Sequence, residues 1–415
     1  MEIDMTDILI RNAKIVDGKT DRPRDAQDLR LADGLVQEVG SELSPGNRTQ
    51  VVNVADQYVL PGLIDAHVHV VATLANLKEN TSLPDPIVTV GAMNIMHAML
   101  KRGFTTVRDL GGATGALRLA MEESPIPVPR LNICGKALSQ TGGHTDQRGP
   151  LDSSPTDGLQ HDLGSLGVVC DGVPEVRRAA REQFRTGADF LKVMANGGVS
   201  SPSDPIHYLG FSREELTAAV EEAANAGAYV AAHLYTDEAI ARAVECGITS
   251  LEHCNLIAAE TAKRAADAGC IACPTLITYD KLHSEGARVG LPPASVAKVN
   301  DVRLKGLESL SIMNEAGLPM AYGSDLLGAM MPHQSGEFEL RAQVLPAQTV
   351  IASATCIAAR LLRMEGKVGS IEAGAFADVV VAKRNPLEDI SVLSGQGEGL
   401  SAIIKGGAFV KHAGV

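Results

Sequence analysis

The feature that most constrains the fold of this chain is a unit repeated along its middle, in which an Ala-rich stretch of helical character stops at a glycine and a short apolar run begins at once. It occurs at Lys101-Arg102-Gly103-Phe104, Thr186-Gly187-Ala188-Asp189, Asn225-Ala226-Gly227-Ala228, Glu245-Cys246-Gly247-Ile248, Asp267-Ala268-Gly269-Cys270 and Glu315-Ala316-Gly317-Leu318. Glycine just past a helix end takes the left-handed conformation that closes the last turn, so each instance marks a helix ending and a strand starting. Strands that alternate with helices imply parallel strands joined by right-handed crossovers. The pattern predicts eight strands, near 60–66, 104–109, 130–135, 189–194, 228–233, 248–253, 270–275 and 319–325. Eight such units in roughly 300 residues favour a closed (β/α)8 TIM-type barrel, here residues 61–365, over an open doubly wound sheet.

The two chain ends read differently. Ile8-Leu9-Ile10, Asn12 to Gly18 and Leu29 to Gly34 are short apolar runs broken by Asp-Gly turns, the mark of β-hairpins. Strand-like texture returns at Gly369 to Val381 and Ala402 to Val410, so residues 1–60 and 366–415 are expected to form one composite β-sandwich domain, with the barrel inserted between them.

A net charge of −13 argues against nucleic acid or an anionic membrane as partner, since both need a basic face. Seven cysteines without disulfide-rich spacing, an acidic start Met1-Glu2-Ile3-Asp4 and no apolar run of membrane-spanning length point to a reducing, cytoplasmic location. Cys270 and Cys273 form a C-x-x-C inside an apolar run and read as packing thiols.

In a parallel barrel the chemistry sits at the carboxyl ends of the strands. The run Val59-Leu60-Pro61-Gly62-Leu63-Ile64-Asp65-Ala66-His67-Val68-His69 reads as a buried strand whose last two histidines, at i and i+2, point the same way. Counting from the helix-stop glycines, Gly227 leads to His233 and Gly247 to His253, while Gly187 leads to Lys192 and Gly317 to Asp325. Six side chains are thereby aimed at one mouth. Imidazoles and a carboxylate are metal ligands. Lys192 lies in a run that should be buried on both faces, where desolvation drives an amine toward its neutral form. A neutral amine beside cations can take up carbon dioxide, and the resulting carbamate offers two oxygens to bridge two metals.

These residues resemble the amidohydrolase superfamily with a binuclear zinc centre. The resemblance covers nearly the whole chain: Pro61 to His69, Lys192, His233, His253, Gly323-Ser324-Asp325 and the closing run Gly369 to Asp378. Phe190 to Val199, Gly142-Gly143-His144 and Pro332-His333 look like the prolidase-like branch, the Xaa-dipeptidases and N-acyl-amino-acid hydrolases. The resemblance implies that His67, His69 and Asp325 hold one zinc, that His233 and His253 hold the other, and that N6-carboxylated Lys192 bridges them. A hydroxide between the metals would attack the amide, with Asp325 carrying the proton.

His144, in the long segment from Gly135 to Gly172, and Tyr235, two residues beyond His233, are candidate donors to the substrate carbonyl; Arg148 and His333 are candidate substrate contacts, and His207 a weaker one. The expected substrate is a small amide, a dipeptide of the Xaa-Pro or carboxypeptidase type or an N-acyl amino acid. A carbamate, a phenylurea or an amide-linked toxin such as ochratoxin is the alternative. A mononuclear deaminase fits less well, because Tyr235 and Thr236 stand where such enzymes place a Glu. A non-catalytic scaffold barrel would lack the ligand set. The branch also implies a homo-oligomer.

Overall fold

A computed structural model describes residues 7–55, 57–149, 151–156, 162–199, 201, 204–290 and 293–412, with the side chains of 293–297 left aside. The acidic start Met1–Asp4 lies outside the described residues. The helix-stop glycines behave as their sequence context predicts. Gly103, Gly187, Gly227, Gly247, Gly269 and Gly317 all have φ between 70° and 98°. At Gly227 the closing pair of bonds is Gly227 N to Ala224 O at 3.0 Å and Ala228 N to Ala223 O at 2.8 Å, which caps the helix Arg213–Asn225 and turns the chain into the next strand.

The fold is mixed α/β. Its middle is a parallel array in two hydrogen-bonded stretches. One holds Leu63–Val68, Phe104–Asp109 and Arg130–Ile133; the other holds Gly167–Val169, Ala137–Ser139, Leu191–Met194, Val230–Thr236, Ser250–Leu256 and Ile271–Cys273. The expected strand 130–135 is interrupted at Gly135, with φ 72°, where a Cβ would fall 2.4 Å from Gln183 Oε1. Its first half therefore pairs with Phe104–Asp109, and Ala137–Ser139 continues to Leu191–Met194.

The expected strand 319–325 forms a single parallel bridge, Met320 to Ala272, rather than a regular ladder. It is tied to both neighbours: Ala321 N donates to Ala272 O at 2.8 Å on one side, while on the other Ala66 N donates to Tyr322 O at 2.8 Å and Asp325 N to His67 O at 2.8 Å. Asp325 itself has φ 51°, which takes the chain out of extended geometry just where its side chain must face the cavity.

Both chain ends meet in one eight-stranded sheet, in the order Ala408–His412, Leu400–Lys405, Val379–Ala382, Tyr58–Pro61, Asp7–Ile15, Gln27–Ala32, Leu35–Gly40, with Thr49–Asn53 also on Asp7–Ile15. It has its own apolar core, including Ile8, Ile10, Leu29, Val59, Val379, Val381 and Ile404. The run Val59 to His69, read from sequence as one strand, serves both layers. Tyr58–Pro61 pairs antiparallel with Val379–Ala382, and Leu63–Val68 pairs parallel with Phe104–Asp109. The pivot is Gly62, where a Cβ would fall 2.0 Å from Thr105 Oγ1. No helix among the described residues is long and apolar enough to cross a membrane.

Candidate metal centre

The strand ends bring the six expected residues to one cavity, lined also by His144, Tyr235, Tyr279 and Leu327. His67 is the fifth residue of Leu63–Val68, and His69 follows that strand directly. Lys192 lies in Leu191–Met194, all four residues of which are buried. His233 and His253 come from Val230–Thr236 and Ser250–Leu256. His253 and Cys254 have φ of 69° and 58°, a left-handed pair that interrupts the alternation of the strand at the cavity. Backbone held in this region at non-glycine positions is costly and clusters at functional sites.

The histidines are oriented by their outward-facing nitrogens. His67 Nδ1 donates to Glu252 Oε2 at 2.8 Å, and His69 Nδ1 to the Gly111 carbonyl at 3.3 Å. Both acceptors lack protons, so each ring carries its hydrogen on Nδ1 and presents the lone pair of Nε2. Those two Nε2 atoms converge on Asp325 Oδ1, at 3.4 and 3.3 Å. For His253 the outer partner is Thr275 Oγ1, at 2.8 Å from Nδ1. His233 is turned the other way, with Nε2 donating to the Gly197 carbonyl at 3.3 Å and Nδ1 lying 2.9 Å from His253 Nε2. With its hydrogen on Nε2, His233 presents the lone pair of Nδ1 to His253 Nε2; where the Thr275 hydroxyl accepts from His253 Nδ1, both facing nitrogens are free to ligate one cation.

The titration behaviour agrees with this donor set. Burial pushes His233 and His253 well below the ordinary imidazole value, which keeps both neutral as ligands must be. Burial likewise pushes the Lys192 amine down, toward the neutral form. For His67 burial opposes charge, but Asp325 and Glu252 outweigh it and raise the value. The same carboxylate charges would favour a metal cation at this point. Burial also works against the ionised form of Asp325, yet His67, His69 and His253 hold it well below the usual carboxylate range. His67, His253 and Asp325 offer ligand atoms that all lie within 4.8 Å of one another. These residues fit a divalent metal.

Behind the ligands stands a group of residues not recognised in the sequence. Glu252 is fully buried and accepts from Arg108 Nη2 at 2.8 Å and Ser250 Oγ at 2.6 Å besides His67. Arg108, also fully buried, donates from Nε to the Ala66 carbonyl at 2.6 Å, just before His67. Burial disfavours the Glu252 charge, but Arg108 and His67 more than compensate and hold it ionised. Tyr279 joins the opposite wall, its hydroxyl donating to Tyr235 at 3.1 Å. The available signal was an Arg and a Glu inside apolar strands: Phe104-Thr105-Thr106-Val107-Arg108 and Ser250-Leu251-Glu252. Opposite charges buried in neighbouring elements must find each other.

Of the residues considered as substrate contacts, His144 and Tyr235 line this cavity, and Arg148, His333 and His207 do not. His144 stacks on His233 with ring centroids 4.3 Å apart, and Tyr235 lies edge-on to the same ring at 4.7 Å. Arg148 does not line this cavity. Asp146 takes its guanidinium at 2.8 and 2.6 Å and the Ser154 carbonyl takes Nη1 at 2.9 Å, so its charge is spent within its own loop. His333 is also elsewhere, paired with Glu285 at 2.8 Å. His207 is exposed beside Tyr208.

The amidohydrolase family pattern matches residues 58–408. Ochratoxinase from Aspergillus niger is 30% identical, over 95% of this chain and 85% of its own. A crystallised amidohydrolase superposes with a TM-score of 0.96 at 46% identity, covering 98% of this chain and 99% of its own. A prolidase complexed with N-methylphosphonate-L-proline gives 0.96 at 42% identity, covering 98% and 100%. A Xaa-Pro dipeptidase with bound methionine gives 0.84 at 28% identity, covering 98% and 100%. The chain belongs to the amidohydrolase family, and within it to the prolidase-like branch.

Proposed function

We propose that this protein is a metal-dependent amidohydrolase that cleaves the amide bond of dipeptides, with Xaa-Pro dipeptides the first candidates, or of N-acyl amino acids. The observation that carries the reading is the convergence of His67 Nε2 and His69 Nε2 on Asp325 Oδ1, with both Nδ1 atoms tied to outer acceptors. That is the arrangement of metal-ligating histidines held in one tautomer by the groups behind them. The prolidase and Xaa-Pro dipeptidase structures among its relatives support the substrate class.

His67, His69 and Asp325 would hold one zinc and His233 and His253 the other. Lys192, carboxylated on Nζ, would lie between them. In that reaction the neutral amine adds to the carbon of carbon dioxide and loses a proton, leaving an anion with two donor oxygens. When bound, the metal pair supplies Lewis-acid polarisation of the scissile carbonyl and a nucleophile at neutral pH. Asp325, ionised at the cavity wall, takes the proton of the attacking water and passes it to the departing nitrogen. Burial raises the Tyr235 phenol, so it keeps its hydrogen and donates to the carbonyl oxygen as charge builds there. His144, stacked on His233, is the second donor.

The parallel array is taken as a closed (β/α)8 barrel over residues 61–365, supported by the backbone hydrogen bonds that join 319–325 to both its neighbours. Residues 1–60 and 366–415 are taken as the composite β-sandwich domain, supported by the antiparallel pairing of Tyr58–Pro61 with Val379–Ala382. A cytoplasmic homo-oligomer remains our expectation, and light scattering tests its assembly state.

The deciding experiment measures bound zinc per chain and the release of free amine from a panel of Xaa-Pro dipeptides and N-acyl amino acids. Two metals and turnover that a chelator abolishes are expected. A metal-loaded chain that cleaves no member of the panel sinks this substrate class. Ochratoxin A belongs in the panel as the second reading, because ochratoxinase aligns over 95% of this chain. Lys192→Ala should lose most activity, and a short carboxylic acid in the buffer should restore part of it; full activity without the additive removes the bridging role.

A further inference from the structure

The loop that follows the strand Leu191–Met194 touches two histidines of the site at once. The Gly197 carbonyl accepts from His233 Nε2 at 3.3 Å. Further along, Ser201 Oγ and Asp204 Oδ2 lie 3.2 and 3.4 Å from His144 Nδ1. Asp204 also accepts from Gly198 N at 2.9 Å, so its carboxylate spans the loop from one side to the other. Ser201 and Asp204 are both buried, at 0% and 2% exposure. Gly198 packs so closely under the His144 ring that a Cβ there would fall 1.8 Å from Nδ1. The imidazole is thus sandwiched between this loop and His233.

What holds the loop in that shape comes from far along the chain. Lys298, on the helix Pro293–Arg303, sends its ammonium to three loop carbonyls: Gly198 O at 2.9 Å, Ser201 O at 3.0 Å and Asp204 O at 3.1 Å. An ammonium has three N–H donors, and here all three are used on one loop. Such charge-assisted bonds are about twice as strong as neutral ones, and their convergence on a single atom fixes the three carbonyls relative to one another. Lys298 is not among the residues that line the metal cavity.

We propose that Lys298 is a positioning residue: its ammonium holds the Gly198, Ser201 and Asp204 carbonyls together, and those residues in turn hold His144 in place over His233. The proposal rests on the amide-hydrolysis reading for its effect on rate, but not for its structural half. Removing the ammonium frees three carbonyls and loosens the Asp204 and Ser201 contacts to His144. The cavity would keep its ligands and Tyr235, and lose His144 as the second donor to the substrate carbonyl.

The test uses the full, metal-loaded chain and Lys298→Met, which keeps the stem and removes every donor. Amide hydrogen exchange over 197–204 should become roughly tenfold faster, the factor for losing a hydrogen bond to a charged group. Bound metal should stay unchanged, and kcat should fall to the level of His144→Ala with little change in KM. In the His144→Ala background, Lys298→Met should cost nothing further. Unchanged exchange over 197–204, or losses that multiply in the double variant, would overturn the proposal. Lys298→Gln carries the same expectations if the Met variant folds poorly. Exchange is read without substrate, so faster exchange in a chain that hydrolyses no amide would count against the functional reading and leave the clamp standing.

Discussion

At the scale of single residues, the site depends on which nitrogen of each imidazole carries the hydrogen. Glu252 settles this for His67, and Arg108 settles the position of Glu252. Glu252→Gln keeps the shape and removes the charge. The ring nitrogen then faces an amide that can present either oxygen or NH2, and metal affinity should drop about 10–100-fold. Arg108 would meanwhile be left as a buried charge without its partner, at a cost of about 3–5 kcal/mol in unfolding free energy. A metal titration and a denaturant curve check the two halves separately, and wild-type values in both would show that Glu252 is a bystander. The six candidate ligands were legible in the sequence because each stands at a countable distance from a glycine or at the end of an apolar run. Glu252 was not, because its partners come from Leu63–Val68 and Phe104–Asp109, elements far away in the chain.

At the scale of elements, the site is a product of strand ends placed side by side. Asp325 reaches it only because the segment 319–325 leaves extended geometry and lends its amides to the first strand. Close approach at Gly323 permits this. A Cβ there would fall 2.7 Å from Cys273 Sγ and 2.8 Å from His67 Cβ. Gly323→Ala should therefore overpack the junction, with an expected loss of about 1–3 kcal/mol. His67 should shift with it, and zinc titration should show weaker binding. Unaltered zinc affinity in a destabilised variant would mean that the strain is absorbed on the Cys273 side. The helix-stop glycines made the strand count readable, since a left-handed cap is a local demand of the backbone. The broken ladder at 323–325 was not readable, because it answers to Asp65 and His67 on another strand: Asp65 Oδ1 accepts from Ser324 N at 3.1 Å and Oδ2 from Ser324 Oγ at 2.6 Å.

At the scale of the whole molecule, the sheet built from the chain ends is fastened to the parallel array away from the metal cavity. Arg130 Nη1 reaches Asp378 Oδ2 at 2.7 Å while its guanidinium stacks 3.9 Å over the Phe376 ring. Asp378 Oδ1 accepts from Gly406 N at 2.8 Å, so one carboxylate ties Arg130, the first residue of the parallel strand Arg130–Ile133, to the last hairpin. Arg130 is partly exposed and can turn to water when its partner is removed. Asp378→Ala should therefore cost about 1–3 kcal/mol, the range for hydrogen bonds to a charged group, and leave zinc affinity unchanged. Joint loss of stability and zinc binding would show that the terminal sheet shapes the site directly.

By itself the sequence determined the alternation of helix and strand, the strand character of the two chain ends and the six candidate ligands. Each of these follows from local rules: caps, periodicity, and the cost of burying an amine in an apolar run. Only the tertiary structure decided that Arg148 is consumed by Asp146, that His333 belongs to Glu285, and that Glu252, Arg108 and Lys298 hold the site from behind. The reason is physical. A charged side chain makes its partnership with whichever group the folded chain brings within about 3 Å, and that distance is set by packing between elements that are remote in the sequence.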